Sequence, residues 1–303
     1  MGSRSGPVLL FLHGLGRFSD DYPNFAAEFA PHYQIVLMDF RGHGDSGRSE
    51  GKYLVTDYIG DTVQFIGSRF PEPIILYGHS LGAMVALAAA TSIPERVRAI
   101  ILEDPPFHTM GRRIHKTSWL PLFTGMERVC RNGGTIEEMI HAFGEITVPS
   151  RQGNGLTRLR EVRSPEALAF GARCLSKIDA AVFKAPIQGC WLDGYDEREL
   201  FGKVRCPSLL LQGDPEAGAA LTDEDAAMAK KLLPHCRCCR FEGAGHLIRW
   251  ERPREVTKAV LEFLETLPPV GSGNHDFKGA AGAVCLGEQP IGNPNSRSTQ
   301  PHV

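Results

Sequence analysis

Short unbroken apolar runs alternate with amphipathic stretches over the first hundred residues, and the alternation resumes after residue 207. Pro7-Val8-Leu9-Leu10-Phe11-Leu12, Gln34–Met38, the run from Ile74 to Gly78, Val97–Leu102 and Ser208–Gln212 each carry the pattern of a strand buried on both faces of a parallel sheet. A sixth strand is expected over 236–242. Between these runs lie helical patterns. Ser19-Asp20 can cap a helix running to Ala30, closed by Pro31, and Thr56-Asp57 opens one that places Ile59, Val63 and Ile66 on one face before Pro71. An Ala-rich helix follows Ser80, another covers 223–233, and the last runs from Pro253 to about Leu267. Six strand–helix pairs in series predict an α/β fold with a doubly wound, mostly parallel sheet, because parallel neighbours require helical crossovers.

The alternation breaks at Pro105-Pro106. For almost a hundred residues no strand pattern appears, while 126–143 and 165–184 read as helices rich in Trp, Phe, Met and Cys. An insertion between two strands of one sheet is expected to sit over the strands' carboxyl ends, where ligands bind in open α/β sheets. The predicted organisation is a core of 1–104 and 201–267, a helical cap of 105–200, and a tail of 268–303. The tail is rich in Gly, Pro, Asn and Ser, has no periodic apolar pattern, and is expected to be disordered.

Composition narrows the partners. A formal net charge of −2 gives no electrostatic reason to expect nucleic acid or an anionic membrane surface. No apolar stretch reaches membrane-spanning length, and the first residues lack the apolar segment of a signal peptide. The eight cysteines then read as reduced thiols of a cytoplasmic protein. Cys236-Arg237-Cys238-Cys239 is not a convincing metal site: on a strand Cys236 and Cys238 share one face, Cys239 takes the other, and a second ligand pair is missing. No metal and no cofactor are expected.

The chemistry gathers around Gly78-His79-Ser80-Leu81-Gly82. A β-branched run stops at Gly78, turns through one serine, and restarts at once as a helix, which is the context of a G-x-S-x-G nucleophile elbow. The glycines let strand and helix approach closely, and the Leu81 N–H at the helix start can face a developing oxyanion. A serine hydroxyl needs a base, and the base needs an acid to fix its tautomer. His79 adjoins the serine and is expected to point away; His13 and His43 sit in glycine turns and read as structural; His275 and His302 lie in the tail. His246 follows the last strand in a turn flexible at Gly243 and Gly245, and it precedes the last helix, so it can reach Ser80.

Taken together, residues 7–267 resemble the α/β-hydrolase fold superfamily: a His13-Gly14 loop, an Arg41-Gly42-His43-Gly44 turn, the elbow and the His246 loop stand in the family's order. The resemblance implies a Ser80–acid–His246 triad, and Leu15 as donor of a second oxyanion N–H beside Leu81. It leaves the acid open. Most members place it after the penultimate strand, where this chain has Gly213-Asp214-Pro215-Glu216; some lactone-hydrolysing members use the strand after the elbow, which ends here at Asp104. Asp104 leads, with Glu216 and Asp214 behind it. One departure is that members usually carry a two-stranded hairpin before the first strand seen here. The expectation is either a shortened chain or an exposed sheet edge, which would favour pairing into a homo-oligomer.

The implied activity is that of a serine hydrolase cleaving a small ester or lactone through an acyl-enzyme. Trp119, Phe123, Met126, Phe143 and Trp191 are candidates to line an apolar part of the substrate. Carbon–carbon bond hydrolases and cofactor-free perhydrolases share these features. A different class also fits: a ligand-binding or scaffold protein that kept the fold without turnover.

Overall fold

The structure is a computed structural model, described for residues 2, 6–150, 155–233 and 235–268. Its frame is a six-stranded, all-parallel sheet formed by β1 (Val8–Leu12), β2 (Gln34–Met38), β3 (Ile74–His79), β4 (Val97–Glu103), β7 (Ser208–Gln212) and β8 (Cys236–Arg240), in the order β2-β1-β3-β4-β7-β8. Two further strands, β5 (Thr147–Pro149) and β6 (Leu156–Arg158), make a separate antiparallel ribbon. That ribbon corrects the strandless reading of 105–200. Three residues a side, with Thr, Pro and Arg among them, are too few to show a period of two.

Alternation of side chains along each strand divides the core in two. Leu9, Phe11, Ile75, Tyr77, Ala99, Ile101, Leu209 and Leu211 face α1 (Pro23–Ala27) and α12 (Pro253–Glu265). Leu10, Leu12, Ile74, Leu76, Ile100, Leu102 and Leu210 face α2 (Val55–Arg69), α3 (Leu81–Ser92) and α10 (Asp223–Leu232). Because both faces are covered, almost every residue of β1, β3, β4 and β7 is buried, which is why these strands read as unbroken apolar runs. On β8, Cys236 and Cys238 pack on the second side and Cys239 on the first. The expected helix over 19–30 is broken. A single 3₁₀ turn at Ser19–Asp21 precedes α1, because Pro23 has no N–H to return to the Ser19 carbonyl and restarts the helix at N1.

The helical cap lies between β4 and β7 and comprises α4 (Trp119–Asn132), α5 (Ile136–Gly144), α6 (Leu159–Val162), α7 (Pro165–Ser176), α8 (Lys184–Gln188) and α9 (Glu197–Phe201). Local signals start two of these helices. Thr135 accepts from the Glu138 N–H while Glu138 reaches back to the Thr135 N–H, and Ser164 caps α7 ahead of Pro165. The cap shares one apolar cluster with the α2–α3 side of the sheet. A further short helix, α11 (Ile248–Glu251), follows β8 just ahead of α12. At the outer edge of the sheet, β2 meets a single antiparallel bridge from Gly2 to Gln34. Of the segment 268–303, the described residues include only 268.

The closest approach in the sheet is at the β3–α3 junction. A Cβ on Gly78 would stand 2.2 Å from the Gly82 carbonyl oxygen, and one on Gly82 would stand 2.0 Å from the Leu12 carbonyl oxygen. Both obstacles are backbone and cannot swing aside. Gly82→Ala is expected to cost about 3 kcal/mol or more in stability, read as a lowered urea midpoint; an unchanged midpoint would show that α3 can retreat from β1.

Candidate active site

Parallel register brings the end of β3 beside the end of β4. His79 pairs with Glu103, and the Ser80 N–H donates to the Glu103 carbonyl at 2.9 Å, so Ser80 and Asp104 stand side by side one residue beyond the sheet. Both have left-handed backbones, φ +54° and +45°. Such conformations cost about 1–3 kcal/mol each in non-glycine residues and persist where the surroundings impose them. Here the imposed turns lift both side chains off the strand ends. The Asp104 N–H in turn donates to the Leu211 carbonyl at 2.9 Å, which anchors this turn to β7.

Asp104 is fully buried. Its carboxylate accepts the N–H groups of Ala220 at 2.7 Å, Leu221 at 3.3 Å and Gly213 at 3.4 Å, all from the loop after β7. Its Oδ2 lies 2.6 Å from His246 Nδ1. The loop that carries the other two candidate acids therefore cradles Asp104. Asp214 is spent on backbone N–H groups: it accepts from Gly243, in the loop after β8, at 2.9 Å and from Glu216 at 3.0 Å, and the first of these bonds holds its carboxyl below the usual range. Glu216 is exposed. Neither Asp214 nor Glu216 contacts His246 among the described residues.

His246 is held on three further sides. Its backbone carbonyl accepts from His79 Nε2 at 2.9 Å, and the two rings are 4.6 Å apart between centroids. The preceding Gly245 N–H donates to Glu251 at 3.0 Å. From the cap, the Trp119 ring meets the imidazole nearly edge to face at 4.7 Å. No hydrogen bond joins the Ser80 hydroxyl to His246 among the described residues; in ligand-free sites that contact commonly closes only when substrate arrives.

The backbone around Ser80 leaves donors open. The Gly82 N–H is taken by the His13 carbonyl at 3.1 Å, the Arg17 N–H by the Gly14 carbonyl at 3.2 Å, and the Gly16 N–H by His43 Nε2 at 3.4 Å. Between them, the N–H groups of Leu15 and Leu81 have no acceptor among the described residues. Gly14 lies against the serine: a Cβ there would be 3.2 Å from Ser80 Cβ. Two buried histidines hold this loop. His13 Nε2 accepts from the Phe40 N–H at 3.0 Å and its Nδ1 meets the Gly14 carbonyl at 2.9 Å, while His43 Nδ1 meets the Arg41 carbonyl at 2.9 Å.

Over this floor lies one face of α4. Trp119, Phe123 and Met126 recur at helical spacing. Trp119 covers His246, and Met126 Cε is 2.5 Å from where a Gly16 Cβ would be, with Phe183 alongside at 3.6 Å. Phe143 packs instead on Gly171 of α7, and Trp191 is fully buried with its carbonyl accepting the Val55 N–H of α2 at 3.1 Å. Of the five apolar candidates, Trp119 and Met126 meet the site, and Phe123 packs beside Trp119 on the same face of α4.

Three partners were not anticipated. His79 was expected to point away; it turns under the site and grips the His246 backbone. Glu103 is fully buried and accepts from Arg249 N–H at 3.0 Å, Arg249 Nη1 at 2.8 Å and Tyr77 OH at 2.8 Å. Arg249 also pairs with Asp21. A charged residue next to an active-site candidate was the only signal for Glu103, and strand alternation alone could not say what its side chain would meet.

A capped parallel sheet with a serine turned out at its carboxyl edge defines a protein of the hydrolase class. The chain belongs to the alpha/beta hydrolase family, which it matches over residues 9–259. It is 34% identical over 266 residues to 2-(acetamidomethylene)succinate hydrolase of Mesorhizobium japonicum, covering 86% of this chain and 89% of the relative. It is 27% identical to pimeloyl-[acyl-carrier protein] methyl ester esterase of Xanthomonas oryzae pv. oryzae, covering 87% of this chain and 97% of the esterase. Among solved structures, the enol-lactonase of Burkholderia xenovorans shares the fold with a TM-score of 0.65 at 19% identity, over 87% of this chain and 94% of that one. Among the described residues no helix is long and apolar enough to cross a membrane.

The site's buried histidines have a measurable signature. Burial, with His13 close by, pushes the His43 imidazole down to about 3 from its ordinary 6.5. Burial likewise lowers His13, and burial with Arg249 and His246 nearby holds His79 well below the usual value. As pH falls from about 6.5 towards 3, the unfolded chain binds a proton at position 43 that the folded chain refuses. Stability present at neutral pH is therefore lost across that window, by up to ~1.4 kcal/mol per pH unit for each such group. His43→Gln is expected to lose about 2 kcal/mol less than the parent chain between pH 7 and pH 5, compared by urea titration at each pH. Equal losses would mean that His43 is protonated in the folded state.

Proposed function

We propose that this hydrolase is a serine hydrolase that cleaves a small ester or lactone through an acyl-enzyme on Ser80. The observation that carries the reading is the His246–Asp104 contact at 2.6 Å, directly beside a serine raised on a strained turn. In the proposed cycle Asp104 orients the imidazole through Nδ1 and stabilises the imidazolium that forms. Nε2 takes the Ser80 proton as Oγ attacks the carbonyl carbon. The tetrahedral oxyanion is received by the Leu15 and Leu81 N–H groups, both left open by the local backbone. His246 then protonates the leaving oxygen, and a water activated by the same imidazole releases the acid. For a lactone the leaving oxygen stays tethered to the acyl group throughout, and the product is a single hydroxy acid.

The electrostatics fit this division of labour. Asp104 is ringed by backbone N–H donors, which fix the orientation of its carboxyl group towards His246. Beneath it, burial keeps His79 neutral, so its Nε2–H donates to the His246 carbonyl and adds no charge to the pair. The apolar face of α4 supports a substrate with an apolar part next to the scissile carbonyl. The esterase among the relatives and the lactonase among the structural neighbours agree with oxygen-ester chemistry, while the succinate-derivative hydrolase widens the panel worth testing to enamides.

Covalent labelling by a fluorophosphonate probe tests the nucleophile: labelling is expected in the parent chain and absent in Ser80→Ala, and a folded parent that does not label would favour a ligand-binding role instead. For the acid, Asp104→Asn is expected to lower kcat on p-nitrophenyl acetate by about 10³–10⁴, whereas Asp214→Asn and Glu216→Gln stay within about threefold. The opposite ranking would move the acid to the β7 loop. Trp119→Ala is expected to raise KM for a p-nitrophenyl ester with a longer acyl chain by about tenfold, and more than for the acetate; equal changes for both would take α4 out of substrate binding.

A further inference from the structure

We propose that Glu103 is a positioning residue for the His246–Asp104 pair, setting the separation of the two segments that carry them. The inference rests on the serine-hydrolase reading and extends it to a carboxylate that touches no reacting atom.

The observation is one of connectivity. Glu103 is the residue before Asp104; Arg249 stands three residues after His246; Tyr77 stands three before Ser80; Asp21 lies in the turn that follows the Leu15 loop. The Glu103 carboxylate bonds the first two of these partners, Arg249 and Tyr77, and Arg249 carries the link on to Asp21. Arg17 completes the cluster at 3.6 Å from Asp21, and the Arg249 guanidinium lies 4.6 Å from the Tyr22 ring centre. One buried cluster thus touches each segment that bears a proposed member of the site. Glu103 holds its centre.

The bonds at Glu103 are directional in a way an apolar contact is not. Oε1 takes the backbone N–H of Arg249, fixing the first turn of α11, while Oε2 takes the guanidinium and the tyrosine hydroxyl. A buried ion pair is a weak source of net stability, since apolar residues of similar volume often replace one at no loss. Its distinctive contribution here is geometric. Asp104 and His246 belong to segments 142 residues apart in sequence, and their contact at 2.6 Å tolerates little sliding of α11 against β4. Misplacement of a reacting group by about 1 Å can cost on the order of 10²-fold in rate.

Two variants decide the matter, with kcat and KM on p-nitrophenyl acetate, the fluorophosphonate labelling rate and the far-downfield proton resonance of His246 Nδ1–H as readouts. Glu103→Gln keeps the size of the side chain and removes its charge. It is expected to lower kcat and the labelling rate by about 30–100-fold, to leave KM within about threefold, and to shift or broaden the Nδ1–H resonance while the far-UV spectrum stays that of the parent. Tyr77→Phe removes one neutral hydrogen bond from the same carboxylate and leaves the ion pairs in place. It is expected to lower kcat by about 3–10-fold with the same resonance displaced. A folded Glu103→Gln with parental kcat and an unmoved resonance overturns the proposal; where that variant does not fold, parental kcat and resonance in Tyr77→Phe overturn it. Asp104→Asn separates the two readings. Full activity there sinks the triad and this inference together, whereas an inactive Asp104→Asn beside a fully active Glu103→Gln sinks only the inference.

Discussion

The site depends on one hydrogen bond between neighbouring strands, from the Ser80 N–H to the Glu103 carbonyl. Parallel register between β3 and β4 makes that bond the last rung of their ladder, so the next residue of each strand is released at the same height above the sheet. Those residues are Ser80 and Asp104, and each leaves through a left-handed turn. The elbow glycines matter because this rung must form while α3 is pressed against β1 and β3. Anything that lifts α3 also lifts Ser80 and Leu81 away from the open N–H group of Leu15.

Around that rung, the molecule uses backbone donors where it needs fixed geometry and aromatic side chains where it needs to exclude water. Asp104 is held by three N–H groups of the β7 loop, and the Leu15 loop is pinned by His13 and His43, both kept neutral by burial. None of these holding groups changes charge near neutral pH, so a proton moving between Ser80 and His246 would meet a steady field. The cap contributes Trp119, Phe123 and Met126 from one face of α4. With water kept away, the His246–Asp104 interaction is stronger than it would be at an open surface.

The relatives sharpen this picture by what they share and where they differ. Hydrolysis at a carbonyl runs through the names of the similar enzymes, yet their substrates differ in charge and in the bond cleaved. A common sheet edge with variable cover explains such a spread: the reacting groups sit on strand ends, while the insertion between β4 and β7 shapes the room above them. In this chain the part of the cover that meets His246 and the Gly16 turn is apolar.

Much of the architecture was legible along the chain. Strands buried on both faces announce themselves as unbroken apolar runs, and Gly78-His79-Ser80-Leu81-Gly82 marks its turn because no other residue than glycine fits where a Cβ would meet the backbone of Gly82 or Leu12. The place of His246 at the sheet's carboxyl edge was legible too, since it falls between the last strand and the last helix. The short ribbon of β5 and β6 left no period to read, and the 19–30 helix restarts at Pro23, whose ring offers no N–H to the Ser19 carbonyl. Which carboxylate meets His246 was undecidable in one dimension, since Asp104, Asp214 and Glu216 all lie in loops at the same edge of the sheet. Only packing decided it: the β7 loop folds its N–H groups inward onto Asp104 and turns its own acids to Gly243 and to solvent. The same holds for Glu103 and Arg249. Periodicity reports which face of an element is buried, but the partner of a buried charge is set by where distant segments meet, and that information exists only once the chain has closed on itself.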